Sequence, residues 1–258
     1  TPAGTVVHTC DFKFDYTPVF QAPADYAKIA ALASQNVIAL FSDSTNALKP
    51  GYTMSEKKIG ETLDSIIKTA HGRIIIASFS SLVGRIQQII NSCAFYGRKV
   101  YLSGRSMVNN ISIAQRLGFI KTPPGLVHPI NKLGKTKDEN VLILTTGSQG
   151  EAVSALTRIS LGDHPQISIK KGDTVVLSSS PIPGNERSIY TVINNLVRLG
   201  ARVIFNQVMD VHTSGHAQRE DLKLMISLIK PKYLVPIHGE LYMRQAHAEI
   251  GRELGIAE

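Results

Sequence analysis

The sequence predicts an α/β protein, and three observations lead to that class. Short runs rich in β-branched residues alternate with amphipathic stretches along the whole chain, which is the pattern of a sheet covered by helices. Four of the amphipathic stretches stop at a glycine, where a left-handed helix cap is favourable: Gly97, Gly118, Gly200 and Gly255. The 258 residues, 43% hydrophobic and 19% charged, have the composition of a globular chain with room for one large domain or two smaller ones.

Each β-branched run predicts a strand, and each longer amphipathic stretch predicts a helix. The predicted strands cover residues 5–10, 37–42, 73–79, 99–102, 141–145, 174–179, 202–206 and 233–237. The predicted helices cover residues 55–69, 82–96, 108–117, 151–159, 185–199, 219–229 and 244–254. Residues 49–52 and 121–140 are expected to be ordinary loops, because each contains a proline and glycine turn signal. A domain boundary is therefore expected near Tyr52.

The chain is basic and contains few cysteines. Lys and Arg number 28 against 20 Asp and Glu, and the net charge of +8 favours polyanionic partners, nucleic acid first among them. The basic residues are scattered, so charge that merely solvates the surface explains the balance about equally well. Cys10 and Cys93 form no Cys-x-x-Cys arrangement, which argues against a disulfide framework and a thiolate zinc site. With no apolar stretch near the roughly 18 residues of a membrane span, we expect a cytoplasmic protein.

Three residues that can bind a metal ion or move a proton stand where predicted strands stop. They are Asp11, His216 and His238. Such groups converge when their strands end at one edge of a sheet. A lone histidine at a strand end is more often structural than ligating, so the expectation rests on the three residues together. Glycine or another small residue flanks each histidine, which would let a bulky ligand approach the backbone closely.

Hydroxyl-rich loops follow four of the predicted strands, at residues 42–46, 78–81, 145–151 and 178–181. In open α/β sheets, ligands bind at the carboxyl ends of strands, where hydroxyls and free helix N-terminal amides can hold phosphate. For any single loop the alternative is that its Ser and Thr residues only cap the next helix.

Taken together, these motifs resemble a known family. The sequences HTCDFKFD at 8–15, SDSTNA at 42–47, SGHA at 214–217 and PIHGE at 236–240 are similar to those of metallo-β-lactamase-fold nucleases with a β-CASP insertion, most closely the ribonuclease J family. Segments 85–88, 145–151 and 178–186 fit the same family, and the resemblance spans the whole chain. It implies a metal-dependent ribonuclease, a 5′-to-3′ exonuclease and endonuclease of RNA processing and decay.

The resemblance also implies a domain layout. Residues 1–51 and 207–258 would form part of a metallo-β-lactamase αββα domain, and residues 52–206 an inserted β-CASP α/β domain with a mainly parallel sheet covered by helices. RNA, expected as a 5′-monophosphorylated single strand, would lie in the cleft between the two domains. A homodimer or tetramer is the assembly that the resemblance implies for the complete protein.

Roles for individual residues follow from the same resemblance. It implies that Asp11 bridges two metal ions, that His238 ligates one of them, and that Asp43 is the acidic partner of His216. His216 would contact the scissile phosphate and protonate the leaving oxygen. Two zinc ions are the expected cofactor, with manganese or magnesium as alternatives. The residues expected to hold RNA phosphates are Ser78, Ser80, Gly147, Ser148, Ser214 and Gly215.

Two departures from the family pattern concern the metal site. The His-x-His-x-Asp-His motif does not occur in these 258 residues, nor does the further histidine ligand expected before the Asp11 strand. We therefore expect an upstream portion beyond residue 1, and a nuclease that is not competent as this chain alone. The C-terminal dimerisation domain of the family is also missing from the sequence. Cys10 stands where the family usually has glycine.

Two other hypotheses compete with a nuclease. A non-catalytic RNA-binding or scaffold module of the same fold would fit the +8 charge equally well. A small-molecule hydrolase of the metallo-β-lactamase fold is disfavoured, because such enzymes lack the long insertion and the pairing of Asp43 with His216.

Overall fold

The computed structural model describes residues 1–134, 136–151, 153–182 and 184–256. The chain forms two compact units. The terminal unit consists of Thr1–Ser55 with Ser214–Glu258, and the central unit of Glu56–Thr213. Ala152, inside the helix predicted at 151–159, and the last two residues of the predicted return segment lie outside the described residues.

Strands and helices alternate along the chain. The strands are β1 (Thr5–His8), β2 (Val37–Asp43), β3 (Ile74–Ser78), β4 (Lys99–Leu102), β5 (Val127–Pro129), β6 (Val141–Thr145), β7 (Thr174–Ser178), β8 (Arg202–Ile204) and β9 (Tyr233–Ile237). The helices are α1 (Tyr26–Ala31), α2 (Glu56–Thr69), α3 (Val83–Phe95), α4 (Arg105–Arg116), α5 (Ala155–Leu161), α6 (Glu186–Arg198), α7 (Arg219–Ile229) and α8 (Leu241–Glu253). No helix among the described residues is both long enough and apolar enough to cross a membrane.

The terminal unit contains a parallel sheet in the order β1-β2-β9. Leu40 of β2 is fully buried against apolar residues of α7 and α8, including Leu222, Ile226 and Ile250. Because all three strands run the same way, their carboxyl ends lie at one edge. The register places Asp43, the last residue of β2, beside Ile237, the last residue of β9.

The central unit contains a six-stranded parallel sheet in the order β5-β4-β6-β3-β7-β8. Every residue of β3, β6 and β7 is buried. Such uniform burial is expected when helices cover both faces of a parallel sheet, and it explains why these strands are continuous apolar runs in the sequence. The observed architecture confirms the α/β class with parallel sheets.

The glycine signals at the helix ends are confirmed. All four predicted cap glycines have positive φ, between 73° and 90°. At Gly118 the N–H of Phe119 donates to the carbonyl of Ala114 and the N–H of Gly118 to that of Gln115, which is a Schellman cap. The same pair of bonds closes α6 at Gly200 and α8 at Gly255.

Several element predictions were wrong. The stretch 121–140, expected to be an ordinary loop, contains β5, which pairs with β4. A three-residue strand that includes a proline carries too little pattern to recognise. Helix α1 was missed because it is six residues long and buries none of them. Helix α5 begins at Ala155 instead of 151, because the hydroxyl of Ser154 accepts from the N–H of Thr157 and caps the helix there.

A buried ion pair joins the residues that precede β3 and β7. Arg73 donates from Nε and Nη2 to the two carboxylate oxygens of Asp173, at 3.0 and 2.6 Å. The guanidinium also donates to the carbonyl of Ser168, and the N–H of Lys170 donates to Asp173. The two charged side chains are 5% and 2% exposed. Loss of either partner would leave the other buried and uncompensated.

We predict that Asp173→Ala lowers the free energy of unfolding of the central unit by about 3–5 kcal/mol, because it leaves the Arg73 guanidinium buried without its counter-ion. Urea denaturation followed by circular dichroism measures the loss. Asp138→Ala is the matched control, since it breaks an ion pair with Lys170 whose side chains are 55% and 47% exposed. That control should cost less than about 1 kcal/mol. Equal losses in the two variants would contradict the prediction.

Candidate functional site

Four side chains meet at the carboxyl edge of the three-stranded sheet in the terminal unit. Asp11 follows β1, Asp43 ends β2, His238 follows β9, and His216 lies in the loop before α7. Each offers one ligand atom, and these four atoms all lie within 4.8 Å of one another. Asp43 is buried, His216 is half-buried, and Asp11 and His238 are exposed. The structure thus brings together both residues predicted to bind metal and both predicted to be catalytic.

Asp43 and His216 form the tightest contact of this cluster. His216 Nδ1 lies 2.8 Å from Asp43 Oδ2. The other carboxylate oxygen of Asp43 accepts from the N–H and the hydroxyl of Thr45, at 3.0 and 2.7 Å. Because Nδ1 faces a carboxylate, it carries the hydrogen, and Nε2 is the nitrogen left for a ligand or a proton transfer.

The same contacts set the charge of the pair. Burial by itself raises the pKa of Asp43, but the hydrogen bonds from His216 and Thr45 outweigh it and lower that pKa below 3.8. The hydrogen bond to Asp43 raises the pKa of His216 above 6.5 against the opposing effect of desolvation, and the charges of Asp43 and Asp11 raise it further. The pair therefore favours a carboxylate beside an imidazolium.

Asp11 and His238 lie on the exposed side of the cluster. His238 Nε2 is 3.7 Å from Asp11 Oδ1, which is too far for a hydrogen bond. Bonds from zinc to imidazole nitrogen or carboxylate oxygen are about 2.0–2.2 Å, so one ion fits between two atoms at this separation. The rings of His216 and His238 are 5.4 Å apart. A donor set of imidazole nitrogen and carboxylate oxygen suits zinc or manganese.

Two non-glycine residues of this region adopt the left-handed backbone conformation: Cys10, which precedes Asp11, and His238 itself. Cys10 has φ of 53° and His238 has φ of 56°. Gly239 follows with φ of 81°, and a Cβ there would lie 2.9 Å from Met243 Sδ and 3.4 Å from the backbone of Thr45. Strained conformations of this kind persist where the surrounding structure enforces them. At Cys10, the departure from the family's usual glycine falls on a position whose conformation favours glycine.

Partly buried and buried hydrogen bonds hold the loop that carries His216. Asn46 Nδ2 donates to Ser214 Oγ at 2.9 Å and to the carbonyl of His216 at 3.1 Å. Thr53 Oγ1 donates to the same carbonyl at 3.1 Å, and its N–H donates to the buried carboxylate of Asp221. These contacts join residues more than 160 positions apart, so sequence reasoning missed them. Thr45 could have been found, since an Asp that accepts from the N–H two residues later is a common turn.

His247 packs behind the cluster. Its ring is fully buried, and its Nδ1 lies 3.1 Å from the hydroxyl of Ser44. Burial lowers the pKa of His247 to about 4, against the opposing effect of the Asp43 charge, so the ring is neutral near pH 7. His247 is not a metal-binding candidate; it supports the turn on which Asp43 lies.

The residues predicted to hold RNA phosphates divide between the two units. Ser214 and Gly215 lie beside His216, where Ser214 Oγ accepts from the N–H of His216. The others lie in the central unit: Ser78 ends β3, Ser80 follows it, and Gly147 and Ser148 follow β6. Of these four only Ser80 is not buried, and its hydroxyl accepts from Asn110. The Ser78 hydroxyl has no hydrogen-bond partner among the described residues.

We predict that Asp43→Asn lowers the pKa of His216, because the carboxylate that favours the imidazolium is lost. In the unsubstituted protein the pair stabilises the terminal unit fully between about pH 3.8 and pH 6.5. This stabilisation disappears as the pH rises through the raised pKa of His216, and it is also lost as the pH falls through the lowered pKa of Asp43. Asp43→Asn should remove that pH dependence. Histidine NMR titration in EDTA measures the pKa, with His164 of the central unit as an internal control. An unchanged His216 titration would contradict the assignment.

We predict that Cys10→Gly raises the free energy of unfolding by about 0.5–1 kcal/mol. Relief of the left-handed strain, about 1–2 kcal/mol, exceeds the added chain entropy of glycine. The thiol is exposed, so no core packing is lost. Cys10→Ser keeps the Cβ and the strain, and it should leave the stability unchanged in the same urea titration. A loss of stability in the glycine variant would show that the conformation is not strained.

Two protein-family models match the chain. A family model described as the ribonuclease J β-CASP domain matches residues 71–196. A second, described as the RNA specificity domain of Zn-dependent metallo-hydrolases, matches residues 201–257. Together the two models cover most of the chain.

Curated relatives of the chain are named ribonuclease J. Ribonuclease J 1 of Streptococcus pyogenes is 47% identical over 256 residues, a match that covers 99% of this chain and 46% of that protein. Ribonuclease J of Synechocystis sp. is 44% identical, with 99% and 40% covered, and ribonuclease J2 of Bacillus subtilis is 43% identical, with 99% and 46% covered. The chain spans less than half the length of these relatives. On these matches, and with the Asp11, Asp43, His216 and His238 cluster in place, the chain belongs to the ribonuclease J family.

Proposed function

We propose that this chain is part of a metal-dependent ribonuclease that acts as a 5′-to-3′ exonuclease and endonuclease in RNA processing and decay. The observation that carries the proposal is the cluster in which a buried Asp43 accepts from His216 at 2.8 Å beside Asp11 and His238. The names of the relatives support the reaction class. The net charge of +8 suits an RNA substrate, which we propose is a 5′-monophosphorylated single strand.

Asp11 and His238 are the residues that would hold metal, with zinc the first candidate and manganese or magnesium the alternatives. When bound, such ions activate a water and neutralise the charge that develops on the phosphate. Asp11 would contribute carboxylate oxygens and His238 an imidazole nitrogen to the metal ligands. The exposed position of Asp11 leaves room for further ligands and for substrate.

His216 supplies the proton in this proposal. Asp43 holds the imidazole through Nδ1, so Nε2–H points away from the carboxylate and donates to an oxygen of the scissile phosphate. The proton at Nε2 passes to the leaving oxygen, and Asp43 stabilises the charged ring beforehand. The raised pKa of His216 keeps the donor form populated above pH 6.5. Ser214 and Gly215, beside His216, are the nearest candidates for contacts with the phosphate.

We assign residues 1–51 and 207–258 to the metallo-β-lactamase domain and residues 52–206 to the β-CASP domain. The match of the β-CASP family model to 71–196 supports this assignment. The compact units divide at Ser55 and Thr213, a few residues beyond the proposed boundaries. A non-catalytic RNA-binding module is the weaker proposal, because a scaffold would not need the hydrogen-bonded Asp43 and His216.

We predict that His216→Ala in the full-length protein lowers cleavage of 5′-monophosphorylated RNA by about 10²–10⁴-fold, because the proton donor is lost, while metal content stays the same. Asp11→Ala should lower both activity and metal content. Rates are measured with end-labelled RNA, and metal content by elemental analysis with anomalous scattering at the zinc edge. His71→Ala, at an exposed histidine of the central unit, is the control and should leave both unchanged. Normal cleavage by the His216 variant would refute the proposed role.

A further inference from the structure

A second candidate site lies in the central unit, at the carboxyl ends of β4 and β6. An open cavity of about 750 Å³ is bordered there by Arg105, Asn109, Asn110, Thr146, Arg158 and His164, among others. Among the described residues that line it, none is acidic. Thr146 belongs to the hydroxyl-rich loop 145–151 named from the sequence, whereas neither arginine was a candidate there. Its volume falls within the range of about 300–1,000 Å³ typical of small-molecule sites.

Close contact at Gly104 shapes one side of this cavity. Gly104, between β4 and α4, has φ of 95°, and a Cβ there would lie 2.6 Å from Thr146 Oγ1. A side chain at position 104 would therefore be strained and would displace the Thr146 hydroxyl. On the other side, Ser154 caps α5 and sets the position of Arg158 one turn further on.

Two guanidinium groups give the cavity its charge. Arg105, the first residue of α4, is exposed, and its side chain makes no ion pair or hydrogen bond with a described residue. No acidic residue lies in the first turn of α4, so the positive end of the helix dipole carries an additional positive charge. Arg158 is also exposed, and it donates to a backbone carbonyl, that of Asp163, at 3.1 Å. An anionic ligand would relieve this accumulation of positive charge.

The remaining polar groups of the cavity are neutral. His164 Nδ1 accepts from the N–H of Gln166, so Nε2 carries the hydrogen and donates to Ser103 Oγ. Burial lowers the pKa of His164, and the charge of Arg158 lowers it further. The positive potential of Arg158 thus reaches the cavity wall. Asn109 is exposed and offers amide donors and a carbonyl acceptor beside the arginines.

We propose that this cavity binds the phosphate of a ribonucleotide, with Arg105 and Arg158 as its two charged contacts. Guanidinium groups bind phosphate oxygens bidentately, which explains why arginine suits this position. The cavity is larger than inorganic phosphate requires and leaves space for a sugar and base beside Asn109. The choice of a ribonucleotide rests on the proposed ribonuclease function. Its source is either a free nucleoside monophosphate or a phosphate of the RNA strand.

The proposal is tested by measuring nucleotide binding under conditions in which the protein cannot cleave RNA. AMP is titrated by calorimetry into the full-length protein in EDTA, so that neither cleavage nor bound metal contributes. We expect saturable binding that weakens with added salt. Arg105→Gln and Arg158→Gln should each raise the Kd by about tenfold or more, since each removes a charge-assisted contact. Arg116→Gln is the matched control: it removes the same charge at the exposed far end of α4 and should leave the Kd unchanged.

A second arm separates the two sources of phosphate. A short RNA with a 5′-phosphate and the same RNA with a 5′-hydroxyl are bound to the protein and to each arginine variant. Weaker binding of AMP in the variants supports a site for free nucleotides, and weaker binding of RNA alone supports a site for the strand. If both ligands bind all variants as tightly as the unsubstituted protein, or if Arg116→Gln causes the same loss, the proposal is wrong. His216→Ala should lower cleavage as predicted above and keep this binding, so the failure of one proposal does not decide the other.

Discussion

The parallel pairing of β1, β2 and β9 is the constraint on which the candidate metal and catalytic residues depend. Strands that run the same way end at one edge of the sheet, so the residues that follow them meet there. The register of β2 and β9 aligns Asp43 with Ile237, which places His238 directly beyond it. A shift of one residue in that register would move Asp43 to the other face of the sheet. The apolar packing of Leu40 against α7 and α8 holds the register.

Burial of Asp43 gives the cluster its chemical character. A buried carboxylate is costly unless donors surround it, and here Thr45 and His216 provide three donor groups. The imidazole gains the complementary advantage, because its charged form lies beside a fixed negative charge. Asp11 and His238, by contrast, remain exposed and are 3.7 Å apart. The buried pair is thus the candidate for proton transfer, and the exposed pair is the candidate for metal binding.

The central unit differs from the terminal unit in that it buries several arginine side chains, each of which needs hydrogen-bond partners. Arg85 is fully buried, and it donates to both oxygens of Glu56 and to the carbonyl of Ser178. Arg98 donates to the carbonyls of Ile67, Ala70 and Gly72, which lie in the last turn of α2 and in the segment between α2 and β3. Cations near the carboxyl end of a helix satisfy carbonyls that have no partner within it. Arg105 and Arg158 differ from these buried residues, because they are exposed beside a cavity whose lining, among the described residues, includes no acidic side chain.

The sequence by itself determined the α/β class, the strands with continuous apolar runs, and the glycine caps, because each of these depends on local pattern. Strands β4, β6 and β9 and helix α7 have the predicted limits, whereas β5 and α1 are too short to carry such a pattern. The sequence motifs also identified the candidate site residues Asp11, Asp43, His216 and His238. Their distances, the pKa directions of Asp43 and His216, and the support from Asn46, Thr53 and His247 were decided by tertiary structure, because those contacts join segments far apart in the chain. The same holds for the arginine-lined cavity, whose walls come from the first turns of α4 and α5, from Thr146 after β6 and from His164.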